Sequence, residues 1–271
     1  MLQQFPGPAK RASLWGAFFI ACVLLFGVAP VRAADCTPPG PLREAQVARV
    51  VDGDTLRLAD GRSVRLIGMN APELAHDDRA AEPLAEAATQ HLQRLVEASG
   101  GQVGLLPGAQ AYDHYGRSLA HAFGRDGRSW EAQQLAAGLG FAVAIAPNTA
   151  LSGCLFATER GARAAGKGVW RQSPLLEAGQ LRRGGFALVR GRVESVERNR
   201  GGVWLELAGP LVLHVAPQWL GQFDERALLG LEGREVEVRG WVVDRSRRSA
   251  PAAGQARWLL NLTDPAMLER H

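Results

Sequence analysis

The segment 50–73 holds the side-chain types that phosphate chemistry needs. It reads VVDGDTLRLADGRSVRLIGMNAPE. Hydrolysis of a phosphodiester requires oxygen ligands for a hard cation, cationic side chains on the phosphate oxygens, and a group that orients or deprotonates the attacking water. Asp54 and the Asn70–Ala71 segment could supply the oxygens, Arg65 a bidentate contact to phosphate, and Glu73 the contact to water.

Each of these residues also has an ordinary structural interpretation. Asp52-Gly53 and Asp60-Gly61 are common turn pairs, and Arg65 fits a solvated position on a strand. For any one residue the structural interpretation is favoured. The combination within one short segment is what points to chemistry.

The elements that must position these side chains are short strands. The β-branched run 47–51 stops at the first Asp-Gly pair, and 55–58 and 63–67 form the two arms of a hairpin around the second. The residue before Pro72 disfavours helix, so 70–73 leaves the sheet as a loop. The candidate side chains therefore lie at strand ends and in a loop, where a rigid scaffold can hold them together.

Three motifs in this order resemble the staphylococcal nuclease (thermonuclease) family. They are DGDT at 52–55, VRLIGMNAPE at 64–73 and DHYGRSLA at 113–120. The family has DGDT, a strand arginine before a D-x-P-E loop, and D-x-Y-G-R-x-L-A. The likeness covers roughly Glu44 to Trp170.

The resemblance implies a fold and an activity. The fold is mainly β with α (α+β), an OB-type five-stranded barrel with packed helices. The activity is calcium-dependent hydrolysis of phosphodiester bonds in DNA and RNA, with low sequence specificity and 3′-phosphate products.

The resemblance also implies roles, carried over motif by motif. Asp54 and the backbone carbonyl of Ala71 would bind Ca²⁺. Arg65 and Arg117 would grip the scissile phosphate, and Glu73 would activate or orient the water.

Tyr115 matches a family tyrosine beside the nucleotide phosphate, but two positions depart from the family pattern. Asn70 replaces a second aspartate ligand; it still offers a carbonyl oxygen but brings no negative charge, so calcium affinity should fall. The segment 142–146 carries alanine, valine and isoleucine where the family tends to have aromatics. Base stacking is worth roughly 1–3 kcal/mol per base, so the grip on substrate should be looser.

The first 33 residues have the pattern of an export signal. Lys10 and Arg11 precede the apolar run Leu14–Val28, and Val31-Arg32-Ala33 is a cleavage pattern. The run is short of the roughly 20 residues of a spanning helix, which favours a cleaved signal over an uncleaved N-terminal anchor. We therefore expect a periplasmic or secreted protein with no membrane span after cleavage.

Net charge argues against a bulk polycation. Three of the 31 basic residues lie in the signal, so 28 remain beside 27 acids in the mature chain from Ala34. Attraction for nucleic acid must then come from local arginine placement.

Two cysteines lie in the mature chain, Cys36 and Cys154. One pair in an exported chain favours a disulfide, with two independent thiols as the alternative. No Cys/His spacing indicates a zinc site.

The rest of the chain is expected to form three helices and a second domain. The helices are 82–97, one capped by Ser129, and 152–165 with Glu159, Arg160 and Arg163 facing outward. The nuclease-like domain spans 44–171, a linker 172–185, and an OB-like barrel 186–271. Its expected strands are 187–196, 203–207, 211–215, 235–243 and 258–262, with a helix at 218–229 between the third and fourth.

The second barrel carries two candidate nucleic-acid contacts, each with an ordinary alternative. Its tryptophans could stack bases or fill the core. The loop with Arg245, Arg247 and Arg248 could bind strands or be a plain loop.

The sequence thus predicts an exported calcium-dependent nuclease acting on DNA, RNA or both. The alternative is a metal-deficient nucleic-acid-binding or envelope interaction module without turnover. Oligomeric state is left open.

Overall fold

A computed structural model describes residues 1–3, 36–76, 79–247 and 255–270. All but the first three belong to one compact unit, Val31–His271, which is the unit described below. The export signal, Arg248 and most of its loop lie outside the described residues. Within the described ranges, no helix is long and apolar enough to cross a membrane.

A closed five-stranded barrel forms the first half of the unit. Its strands pair in the order β1-β2-β3-β6-β5, and the β3–β6 pair is parallel. The barrel and the accompanying helices confirm the predicted α+β, OB-type fold. The strands are β1 Arg43–Asp52, β2 Thr55–Leu58, β3 Ser63–Leu66, β5 Gln102–Tyr112 and β6 Ser118–Phe123.

Alternation of side chains fills this barrel. In β2 and β3, Leu56, Leu58, Val64 and Leu66 point inward and are buried, while the residues between them are half-buried or at the site described below. A hairpin joins the two strands at Asp60-Gly61, where Gly61 has φ 88° and Leu58 N–H donates to Arg62 O at 2.9 Å. This is the predicted hairpin.

Three helices pack beside the barrel: α1 Ala85–Ala98, α2 Trp130–Ala136 and α3 Ser152–Ala164. The Ser129 hydroxyl caps α2 by accepting from Ala132 N–H at 3.1 Å, as predicted. A two-stranded sheet lies between them. It pairs β4 Met69–Asn70 with β7 Phe141–Ala142.

One predicted feature of α3 is wrong. Glu159 does not face outward; it is 1% exposed and pairs with Arg239. Arg160 is exposed, and Arg163 is partly exposed and pairs with Glu237. A second sheet covers this face of α3, which periodicity in the helix alone does not reveal.

The second sheet has seven strands among the described residues. Five of them close a circuit, because β9-β10-β11-β13-β12 returns to β9 through a β12–β9 pairing. The order matches that of the first barrel, including one parallel pair, β11–β13. The description of this unit as an OB-like domain stays a prediction. The strands are β8 Leu175–Glu177, β9 Gly185–Asn199, β10 Gly202–Leu207, β11 Leu211–Val215, β12 Glu235–Asp244, β13 Trp258–Asn261 and β14 Leu268–Arg270.

Two segments of this second half differ in detail from the expectation. The predicted helix 218–229 is a 3₁₀ turn, Pro217–Gln222, followed by the short helix α4 Glu225–Leu229. Asp224 separates them because its extended backbone and side chain cap the second piece. The segment expected as a linker contains β8, which pairs in parallel with β9.

The barrel and the second sheet share apolar contacts. One cluster of buried side chains includes Met69, Ala142 and Leu155 together with Val189 and Leu205. Burying these surfaces against each other removes apolar area from water and stabilises both halves.

A disulfide joins Cys36 to Cys154 in α3, which confirms the predicted pairing. The two residues are 118 positions apart, so the bridge constrains a long loop of the unfolded chain.

Replacing both cysteines by alanine should lower the free energy of unfolding by about 2–5 kcal/mol, mainly because the unfolded chain regains loop entropy. Urea unfolding of the mature chain with and without a thiol reductant measures this. The wild type should lose stability in reductant, whereas the double variant should be insensitive to it. Equal unfolding midpoints for all four samples would contradict the prediction.

Candidate functional site

A buried arginine lies at the centre of the predicted site. The Arg65 side chain on β3 is only 12% exposed. Its Nη1 lies against the Asp54 carboxylate in an ion pair, and Nη2 donates to Asn70 Oδ1 at 3.0 Å. A buried guanidinium needs such partners, because an unpaired buried charge is strongly disfavoured.

Asp54 is fixed by its neighbours in the turn between β1 and β2. Its N–H donates to Asp52 Oδ1 at 2.9 Å, and its Oδ2 accepts from Ala71 N–H at 2.7 Å. Gly53 permits the close approach of this loop, because a Cβ there would lie 2.6 Å from Ala71 Cβ and 2.7 Å from Ala88 Cβ. A glycine in the DGDT motif is therefore a packing requirement.

Gln134 is a supporting residue that sequence reasoning missed. It is fully buried on α2, and its Nε2 donates to Gly53 O at 2.8 Å and to Ala88 O at 3.0 Å. Its Oε1 lies 2.6 Å from His91 Nδ1. One glutamine thereby joins the DGDT turn to two helices. A single glutamine in an amphipathic helix gives no sequence signal of this role.

Asn70 is placed by the small β4–β7 sheet. It is 5% exposed and lies opposite Phe141, while Met69 lies opposite Ala142. The next amide, Val143 N–H, donates to Gly68 O at 3.0 Å. The position of Asn70 thus depends on the 141–143 segment.

Glu73 lies at the surface end of this loop and is exposed. Its backbone N–H donates to Glu82 Oε2 at 3.1 Å, and its carbonyl accepts from Glu82 N–H at 2.8 Å. Partial burial of its carboxylate raises the pKa of Glu73, and the positive charges of Arg65 and Arg117 oppose that rise. A carboxylate with a raised pKa is a better proton acceptor than an ordinary glutamate.

Arg117 is delivered by the turn between β5 and β6. Its Nε donates to Asp113 Oδ2 at 2.7 Å and its backbone N–H to Asp113 Oδ1 at 2.9 Å. Within the described chain the guanidinium bonds only through Nε, so its two terminal nitrogens remain available to an anion. Burial of the Asp113 carboxylate raises its pKa, but hydrogen bonds from Arg117 outweigh burial and lower the pKa overall. The ion pair therefore persists in mildly acidic solution.

Tyr115 belongs to the same turn and lies at the rim of the site. It is 74% exposed, and its ring centroid is 5.5 Å from Arg117 Cζ. The ring therefore contacts an arginine and solvent, and its role beside a phosphate stays a prediction.

Electrostatics join these groups into one cluster. Burial lowers the pKa of Arg65 to about 10, while the charge of Asp52 raises it and that of Arg117 lowers it further. Arg65 is still protonated at neutral pH. Glu73 also acts on Arg65, so Arg65, Glu73 and Arg117 lie within electrostatic reach of one another.

The oxygen donors are of the type that hard cations prefer, but only Asp54 among them carries a negative charge. Asp54 and Asn70 present side-chain oxygens, and Ala71 adjoins them with a backbone carbonyl. The Asp54 and Asn70 oxygens already contact Arg65, and Asp54 also accepts from Ala71 N–H. In the described ranges, no group of three or more His, Cys, Asp or Glu side chains is placed to hold a metal ion. Because Arg65 contacts the Asp54 and Asn70 oxygens, a cation bound there would lie beside a positive charge.

A family model for staphylococcal nuclease homologues matches residues 63–172. This segment is similar to staphylococcal nuclease homologues, and the match covers less than half of the chain. It includes Arg65, Asn70, Glu73 and Arg117, whereas Asp54 and strands β1 and β2 precede the matched region and complete the barrel. No curated protein matches the chain.

The remaining predicted contacts are more dispersed. In the second sheet, Trp258 is buried in the core, Trp241 is 41% exposed, and Trp204 stacks on His214 with ring centroids 3.7 Å apart. Trp219 packs on the core and is half-buried. The 142–146 segment carries no aromatic side chain.

Proposed function

We propose that this chain is an exported, calcium-dependent nuclease that hydrolyses phosphodiester bonds of DNA, RNA or both with low sequence specificity. The observation that carries the proposal is the cluster of Arg65, Glu73 and Arg117, which lie within electrostatic reach of one another. A scaffold protein gains nothing from two arginines beside a carboxylate of raised pKa. A phosphodiesterase needs all three.

The chemistry assigns one task to each side chain. Arg65 and Arg117 neutralise the non-bridging oxygens of the scissile phosphate, on which negative charge accumulates in the transition state. Glu73 accepts a proton from water as the water oxygen bonds to phosphorus. The P–O5′ bond then breaks, the 5′ oxygen takes a proton from solvent water, the phosphate remains on the 3′ side, and Glu73 returns its proton to solvent.

Asp54, Asn70 and the Ala71 carbonyl would hold the calcium ion. When bound, Ca²⁺ would supply positive charge next to the phosphate and a template for the water. Arg65 contacts two of these ligand groups, the Asp54 carboxylate and Asn70 Oδ1.

Low sequence specificity is consistent with the small side chains at 142–146. Stacking platforms supply much of the grip on single-stranded bases, and this segment offers none. Recognition would rest on the phosphate backbone, which carries no sequence information directly.

Export is supported by the N-terminal pattern and by the disulfide. Disulfides persist in oxidising compartments such as the periplasm and the extracellular space.

Substituting Arg117 by alanine tests the proposed mechanism. Cleavage of single-stranded DNA should fall by at least about 100-fold, since a charge-stabilising donor of the transition state is lost. Arg160→Ala, which removes an exposed arginine of α3, is the matched control and should leave the rate unchanged. Undiminished cleavage by the Arg117→Ala variant would contradict the proposed mechanism.

A second candidate function follows from Asn70 and from the position of Arg65. With one carboxylate at the predicted ligand positions and a resident arginine against it, the domain would bind nucleic acid or an envelope partner without turnover. Both observations favour weak calcium binding.

Substituting Asn70 by aspartate separates the two functions. The added carboxylate should tighten calcium binding, measured by titration calorimetry, because ligand charge is one determinant of calcium affinity. Activity that merely rises identifies a nuclease with a weak metal site, whereas activity that emerges only in the variant identifies a binding module. Unchanged calcium affinity would remove Asn70 from the ligand set.

A further inference from the structure

The second sheet reaches the site loop through a buried ion pair. Arg239 on β12 is 2% exposed, and its Nη1 donates to Glu159 Oε2 at 2.5 Å and to Ala142 O at 3.3 Å. Glu159 on α3 accepts from Ala142 N–H at 2.7 Å through its other oxygen. Both backbone groups of Ala142 are therefore engaged by charged side chains from two other elements.

Ala142 is one step from the site. It pairs with Met69 in the small β4–β7 sheet, and its neighbour Phe141 pairs with Asn70. Any shift of Ala142 would move β7, and with it the strand that ends at Asn70.

Two further contacts hold the same segment from the same side. Thr263, beyond β13, accepts from Ala146 N–H at 3.2 Å and donates to Ala144 O at 3.4 Å. The Phe141 ring lies 5.4 Å from that of Phe186 on β9. The second sheet thus contacts the 141–146 segment by ion pairing, hydrogen bonding and apolar packing.

Burying the Glu159–Arg239 pair removes both charges from water, which is energetically unfavourable. Burial raises the pKa of Glu159, and the positive charge of Arg239 opposes that rise. Glu237 and Glu269 also face Arg239, with Oε1 atoms 3.7 and 3.9 Å from its Nη2. A buried pair often contributes little net stability, and its best-attested use is to fix one geometry.

We propose that Arg239 is a positioning residue for the nuclease site, acting through Glu159 and Ala142 to hold β7, β4 and Asn70 in place. The second sheet then supports the site instead of serving only as a separate substrate-holding module. The effect on cleavage rests on the proposed function; the effect on the loop does not.

Arg163 provides a matched control at the same contact between the halves. Its two terminal nitrogens bind Glu237 at 2.6 and 2.8 Å, and no contact to Ala142 accompanies them in the described chain. Arg239→Met would leave Glu159 buried without a counter-charge, and this variant is at risk of not folding. Arg239→Lys keeps the charge but loses the planar fork that reaches Glu159 and Ala142 together. Arg163→Lys makes the same change without a direct contact to Ala142; Arg163 reaches β7 only indirectly, through Trp170, whose ring packs on Phe141.

The experiment compares these two lysine variants with the wild type in the full mature chain. Hydrogen exchange, followed by mass spectrometry, should speed up by about tenfold in segments 68–73 and 140–146 for Arg239→Lys and not for Arg163→Lys. Cleavage of single-stranded DNA should fall by about 10- to 100-fold for Arg239→Lys, the range typical for loss of a residue that orients a functional group. Thermal unfolding, measured in parallel, reports any general loss of stability.

Equal exchange and equal cleavage in the two variants, or changes that follow thermal stability alone, would overturn the proposal. A wild type without cleavage would overturn the proposed function instead. In that case faster exchange confined to Arg239→Lys still supports the positioning role, and its failure to occur refutes it.

Discussion

The site depends on the burial of one positive charge. Arg65 lies in the barrel wall at 12% exposure, and water cannot compensate its guanidinium there. Asp54 and Asn70 do so, and each must then be held in place: Asp54 by the DGDT turn and Ala71 N–H, Asn70 by pairing with β7. Most of the neighbouring structure follows from satisfying this charge.

Support for these partners comes from far along the chain. Gln134 joins the DGDT turn to α1 and α2, and Arg239 joins β7 to the second sheet through Glu159. The two halves also share apolar side chains in one cluster. The second half of the unit therefore helps to position the site residues. Its five paired strands follow the same order as the strands of the first barrel, so the chain contains two similar circuits of paired strands.

The sequence predicts the residues that carry local signals. Asp54, Arg65, Asn70 and Ala71 lie in motifs with fixed spacing, and the structure brings them into contact. The disulfide was predicted from the cysteine count and the expected export. The outward orientation predicted for Glu159 was wrong. A glutamate on an amphipathic helix is usually solvated, and the partner of Glu159, Arg239, is 80 residues away in the sequence. Gln134 was missed for the same reason: its partners are backbone carbonyls that only the fold brings near. Long-range pairing of buried polar groups leaves no local periodicity.

The most direct test of the account is digestion of single-stranded DNA by the purified mature chain from Ala34, with calcium and with a chelator, beside Glu73→Gln. Cleavage should require calcium, leave 3′-phosphates and be lost in the variant, because Glu73 takes the proton from water. Cleavage that survives in Glu73→Gln would contradict the assigned role. An intact fold that binds DNA and cleaves it in no ion would contradict the nuclease itself.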